Sequence, residues 1–104
     1  MTPAVRRVLE EDRRWYLLDA IAQMADRTLN EDVIRMSLRS MGRPVTVEEV
    51  RADLELLERE GCLTLFRHTL GPARQLLVAT LTVEGLQTRD NERSVPGVAA
   101  RRPL

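Results

Sequence analysis

Between Glu31 and Glu60 the chain reads EDVIRMSLRSMGRPVTVEEVRADLELLERE, and this stretch decides the fold. Inside it, Thr46-Val47-Glu48-Glu49 fits a capping box: the Thr46 hydroxyl accepts from an amide of the first turn, and the Glu49 carboxylate reaches back to the Thr46 amide. A third helix therefore starts there, with Val47, Val50, Leu54 and Leu57 on one face and Gly61 as its stop after Glu60. Upstream, Asn30 caps a second helix whose first turn carries Glu31 and Asp32, charges that suit the positive end of a helix dipole. Ile34, Leu38 and Met41 share its inner face, and Gly42 supplies the left-handed residue that closes it. Arg43-Pro44-Val45 leads on as a very short extended strand between the two helices.

Working outward, residues Ala4 to Ala25 form one long helical pattern in which Trp15, Leu18, Ile21, Ala22 and Ala25 make an apolar stripe. Its front half, with Arg6, Arg7, Glu10, Glu11, Asp12, Arg13 and Arg14, carries charge nearly all the way round the axis. That half is expected to project into solvent or to meet a second subunit. After Gly61 the apolar period changes from about four to two. Cys62 to His68 and Gln75 to Leu81 read as strands joined by Thr69-Leu70-Gly71-Pro72-Ala73-Arg74, which carries a Gly-Pro turn signal, a hairpin. Thr82 caps a last short helix from Val83 to about Asp90, and residues 91–104 show no periodic apolar face and are expected to be a mobile tail.

The order is the argument. Three helices, a hairpin and a closing helix make an α+β, mostly helical winged helix-turn-helix domain over residues 1–90, with the hairpin as its C-terminal wing. At 104 residues there is no room for a second ordinary core. Hydrophobic residues at 43% suffice for a globular core, and one cysteine, Cys62, allows no internal disulfide. Neither a membrane span nor a signal-peptide pattern is present, so the expected location is the cytoplasm and no membrane partner is expected.

Five short stretches carry a resemblance: Glu11-Asp12-Arg13-Arg14, Ser40-Met41-Gly42, Val50-Arg51-Ala52-Asp53-Leu54, Leu77-Val78-Ala79-Thr80-Leu81-Thr82 and Val95-Pro96-Gly97-Val98. Together they resemble a family of small winged-helix proteins of Mu-like phages and prophages, some of them labelled similar to ArsR regulators. The resemblance implies a phage-encoded winged helix. The ArsR label would also imply a metal sensor built on a cysteine pair, and Cys62 with His68 offers too few ligands for one within a single chain.

In this architecture the second helix of the motif usually enters the major groove. Thr46, Arg51 and Ala52 are then the residues placed at base edges, and Arg35, Arg39, Arg43, Arg67 and Arg74 the ones placed on phosphates. All sixteen basic residues are Arg, whose planar fork suits phosphate and guanine edges, but sixteen acids balance them and no whole-molecule field draws the chain to DNA. From Thr46 to Glu60 six acids face two arginines, and four net negative charges oppose entry into a groove. Two readings follow. One is a DNA-binding transcription regulator acting on double-stranded DNA; the other is a winged helix used as an interaction module, its acidic third helix docking on a phage or host protein.

Other chemistry is thin. His68 has no nearby nucleophile, adjacent carboxylates such as Glu48 and Glu49 diverge on a helix, and there is no phosphate loop or metal-spaced cluster. An enzyme is not expected, nor a cofactor. The first helix has more apolar surface than one small core needs, which points to a homodimer with Trp15, Leu18 and Ile21 at its interface.

Overall fold

The computed structural model describes residues 1–100. Seven elements follow one another: α1 (Pro3–Ala22), β1 (Thr28–Asn30), α2 (Glu31–Ser40), α3 (Val47–Arg59), β2 (Leu63–Gly71), β3 (Arg74–Leu81) and α4 (Val83–Arg89). The three strands form one antiparallel sheet in the order β1-β3-β2. Helices α2 and α3 with their short connection are the helix-turn-helix, and β2 with β3 is the wing, so the chain is a winged helix-turn-helix domain.

Local chemistry sets the element ends. Asn30 Oδ1 accepts from the Val33 amide at 2.9 Å and starts α2. Both halves of the capping box are made: the Glu49 amide donates to Thr46 Oγ1 at 3.1 Å, and the Thr46 amide to Glu49 Oε1 at 3.0 Å. Gly42 and Gly61, at φ of 76° and 79°, end α2 and α3 in the left-handed conformation that side chains disfavour. One fully buried set of side chains joins the layers: Leu17, Leu18 and Ile21 from α1, Ile34 and Leu38 from α2, and Val50, Leu54 and Leu57 from α3. Leu77 and Ala79 of β3 close the same core from the sheet side.

Four boundaries differ from the sequence-based expectation. Helix α1 stops at Ala22 rather than Ala25, because Asp26 Oδ1 takes the Thr28 amide at 3.2 Å and turns the chain, with Arg27 at a φ of 55°. The short strand lies before α2, not between α2 and α3. The Arg43 amide is spent on Leu38 O at 2.8 Å and Pro44 has none to give, whereas Leu29 pairs with Ala79 on β3. The wing strands run on to Gly71 and Arg74, so the turn is only Pro72-Ala73, with a bulge between Thr69 and Gly71.

The fourth difference is at the C-terminal end. Packing does not stop at residue 90: Val95 is buried in the core, Val98 rests against it, and the Ala99 amide donates to Glu11 O at 3.1 Å. Two valines without helical or strand periodicity suffice to hold a segment, and periodicity was the only signal a sequence reading had there. Residues 101–104, the remainder of the expected mobile tail, lie outside the described residues.

Candidate nucleic-acid interface

Helix α3 packs against both α2 and β2, with Val50, Asp53, Leu54 and Leu57 turned inward. Its outward positions follow the helical repeat: Glu48, Ala52, Glu55 and Arg59 are all exposed. Of the three residues expected at base edges, only Ala52 stands freely on that face. Thr46 is exposed at the N-cap, but its hydroxyl is engaged by the capping box. Arg51 is held sideways. Its Nε donates to Glu31 Oε1 at 2.8 Å, and its Nη2 donates to Glu31 Oε2 at 3.1 Å and to Gln75 O at 2.9 Å.

Glu31 is the hub of this arrangement. It is buried at the first position of α2 and also accepts the Leu77 amide of β3, so one carboxylate ties α2, α3 and the wing. Burial alone would raise its pKa. The hydrogen bonds from Arg51 and Leu77 and the charge of Arg51 outweigh burial and hold it below the usual carboxylate range. Arg51 is correspondingly raised, chiefly by its hydrogen bond to Glu31. A sequence reading takes Glu31 only as a favourable first-turn charge, because the partner on α3 is 20 positions away.

The residues expected on phosphates separate into two groups. Arg43 is committed to the fold: Nε donates to Asp12 Oδ2 at 2.6 Å, Nη1 donates to Met41 O at 2.8 Å, and its guanidinium lies 3.6 Å from the centre of the Tyr16 ring. Arg74 pairs with Asp32 at 2.9 Å on an exposed surface, an interaction worth at most about 1 kcal/mol and easily exchanged. Arg39 on α2 and Arg67 on the wing are exposed and make no hydrogen bond or ion pair among the described residues. Arg35 lines a groove with Glu31, Asp32, Arg51 and Arg74, and its Nε is shut off from solvent with no partner. The structure therefore brings Arg35, Arg51 and Arg74 together and leaves Arg43 apart.

The expected dimer residues are elsewhere. Leu18 and Ile21 have no exposed surface and belong to the chain's own core, so a second copy cannot reach them. Trp15 is half-buried, stacks edge-on with Tyr16, and donates its indole N–H to Arg89 O at 3.0 Å, which fastens α1 to α4. A long amphipathic helix reads the same way in sequence whether its stripe meets a partner or the rest of its own domain.

The charged front of α1 holds what the sequence reading missed. Asp53, only 1% exposed, accepts from Arg13 at 2.7 and 2.9 Å and from Arg14 at 2.9 Å. The most buried of the five acids on α3 is therefore answered from α1, and Glu49 is engaged at the cap. Glu58 Oε2 accepts the Leu65 amide of β2 at 3.1 Å. Glu48 and Glu55 remain as outward acids whose carboxylates make no hydrogen bond or ion pair among the described residues. An acid at Asp53, between Val50 and Leu57 on the inner face, was the available signal of a buried cation.

The fold is similar to that of PadR. The solved structure of Bacillus subtilis PadR in complex with operator DNA superimposes with a TM-score of 0.63 at 19% identity, over 80% of this chain and 48% of that one. The chain spans about half the length of that protein. No family model and no curated protein matches it. Among the described residues no helix is long and apolar enough to cross a membrane, and no cluster of three or more His, Cys, Asp or Glu could hold a metal.

Proposed function

We propose that the chain is a winged-helix DNA-binding protein acting as a transcription regulator, and, on its resemblance to small proteins of Mu-like phages, a phage-encoded one. The observation that carries this reading is the set of arginines without partners on the elements bordering α3: Arg35 and Arg39 on α2 and Arg67 on the wing. Unpaired guanidiniums beside a candidate recognition helix match the contacts that position a protein on the phosphate backbone. The pairing of Asp53 with Arg13 and Arg14 weakens the charge objection raised by α3. That PadR, of similar fold, was solved on operator DNA supports the reading further. Ala52 and Thr46 would then face base edges, and Arg51 would do so only by leaving Glu31.

The test is fluorescence anisotropy of a mixed-sequence duplex titrated with the protein at low salt and again at rising salt. Binding that weakens steeply with salt is expected, since each phosphate neutralised releases counterions. No binding at low salt overturns the reading. In that case the second reading, in which exposed Glu48 and Glu55 dock on a basic phage or host protein, is the one the outward face of α3 favours.

We also infer a homodimer located in the cytoplasm. Since Leu18 and Ile21 serve the core, its contact falls on the first turns of α1, where Met1, Val5, Val8 and Leu9 are exposed.

A further inference from the structure

The groove bordered by α2, α3 and β3 collects three guanidiniums, Arg35, Arg51 and Arg74, and two carboxylates, Glu31 and Asp32. Two of the cations are answered: Arg51 by Glu31 and Arg74 by Asp32. The third is not. Arg35 makes no hydrogen bond or ion pair among the described residues, and its Nε–H is closed off from water without an acceptor. An N–H shut away from both water and acceptor is destabilising, so Arg35 gains from any acceptor that the rest of its guanidinium meets in the groove it lines. The geometry points to a bound anion. A guanidinium fork favours a group with several coplanar or tetrahedral oxygens, and phosphate can bridge two such forks.

We propose that this groove is a phosphate-binding site, with Arg35 as the principal ligand and Arg74 as the second, released from Asp32 as phosphate enters. Arg51 stays on the buried Glu31 and forms the wall of the site. The exposed Arg74–Asp32 pair is exchangeable, whereas the Arg51–Glu31 pair is anchored on a nearly buried carboxylate that also accepts the Leu77 amide. The source of the phosphate rests on the DNA-binding reading: a backbone phosphate of duplex DNA, gripped beside α3. A free phosphate anion shares the chemistry, and the experiment separates the two.

In the full chain, the Arg Nε–H resonances are followed by NMR while inorganic phosphate is added against sodium chloride at equal ionic strength. The Arg35 resonance, assigned by its loss in Arg35→Gln, is expected to move saturably with phosphate and not with chloride. Asp32→Asn is expected to tighten phosphate, and Arg74→Gln to weaken it several-fold. An Arg35 resonance that ignores phosphate overturns the site, whatever the duplex does. In the duplex arm, Arg35→Gln is expected to reduce the slope of log K against log salt by about 1, because one phosphate contact is lost. Arg35→Lys keeps the charge without the fork and guards against loss of fold, and partial retention of binding is expected. Duplex binding unchanged in both variants removes DNA as the source and leaves a free-anion site if phosphate still titrates Arg35. If the wild-type chain binds no duplex, the DNA-binding reading fails while the phosphate titration alone upholds or overturns the site.

Discussion

Arg13 and Asp53, forty positions apart in the chain, meet in a two-point ion pair of 2.7 and 2.9 Å that joins α1 to α3 beneath the surface. Arg14 adds a third hydrogen bond to the same carboxylate at 2.9 Å and passes the connection on to the Gly97 carbonyl at 3.0 Å. A carboxylate with 1% exposure cannot be left to itself in such a place. Arg13 is raised in pKa because Asp53 outweighs the burial that would lower it. The orientation of α3 against α1 thus depends on charge as well as on Leu54 and Leu57.

Asp53→Ala should therefore cost about 3–5 kcal/mol, the loss typical when one partner of a buried pair is removed and the other charge is stranded. Urea unfolding followed by far-ultraviolet circular dichroism measures it. Since a small domain has roughly 5–15 kcal/mol in total, the variant should be near unfolding at growth temperature. A change below about 1 kcal/mol would show that Arg13 and Arg14 find water or another acceptor at once. The paired replacement Arg13→Met with Asp53→Leu should recover much of the loss, since well-packed apolar groups commonly replace a buried pair without penalty.

Acid should act through Glu31. Its folded pKa lies below the ordinary glutamate value of about 4.3, so the stabilisation it brings is fully present above that value and is lost as pH falls through the lower folded one. Glu31→Gln cannot titrate and lacks this dependence. The expected outcome is a variant less stable than the wild type at pH 7, with the gap narrowing as pH falls below the ordinary glutamate value of about 4.3. Parallel curves of urea midpoint against pH would remove Glu31 from the acid response.

Much of this fold was legible, and the reasons are local. Asn30, Thr46 with Glu49, Gly42, Gly61 and Thr82 each satisfy or stop backbone groups within four residues, so their chemistry is written in adjacent letters. Pairing across distance is not. The strand at Thr28–Asn30 exists because β3 offers an edge, and nothing within three residues announces it. The candidate site is half visible: Arg35 and Arg74 read as phosphate residues, but nothing in the sequence shows that they share a groove. Arg51 read as a free groove residue because Glu31 is a helix away, and Leu18 and Ile21 read equally well as an interface or a core.

Glycine at position 85 is required by the close approach of α4 to the α3–β2 connection. A Cβ there would run into the Cys62 carbonyl and would come within 2.7 Å of Leu81 Cδ1. The carbonyl is backbone, already held by the Thr82 amide at 3.0 Å, and cannot step aside alone. Gly85→Ala should destabilise by about 1–3 kcal/mol or more despite the better helix propensity of alanine. Thermal melting decides it, and a variant at least as stable as the wild type would show that α4 can shift without loss.

The two faces of α1 should respond oppositely to the same charge. Ile21→Glu places a carboxylate in the core beside Leu17 and Leu38, and a loss above about 4 kcal/mol with failure to fold is expected. Val8 is exposed, so Val8→Glu should change the stability of the single chain by no more than about 0.5 kcal/mol. If the first turns of α1 form the dimer contact, Val8→Glu should nevertheless yield a folded monomer in sedimentation equilibrium. A Val8→Glu protein that stays dimeric would move the contact off this face. A wild-type chain that is monomeric at all concentrations would refute the dimer outright.

Ala52 separates recognition from stability more cleanly than Arg51 does. Arg51→Ala strands the buried Glu31 carboxylate, so any loss of duplex binding in that variant is confounded with loss of fold. Ala52 touches no ion pair and stands on the outward face between Glu48 and Glu55. Ala52→Glu should leave urea stability within about 0.5 kcal/mol of the wild type. It adds a third negative charge at the face that would meet the groove, and should weaken duplex binding at least tenfold at low salt. Ala52→Arg should strengthen it by charge alone. Duplex affinity indifferent to both changes would mean that α3 does not lie against the DNA, and that any binding runs through α2 and the wing.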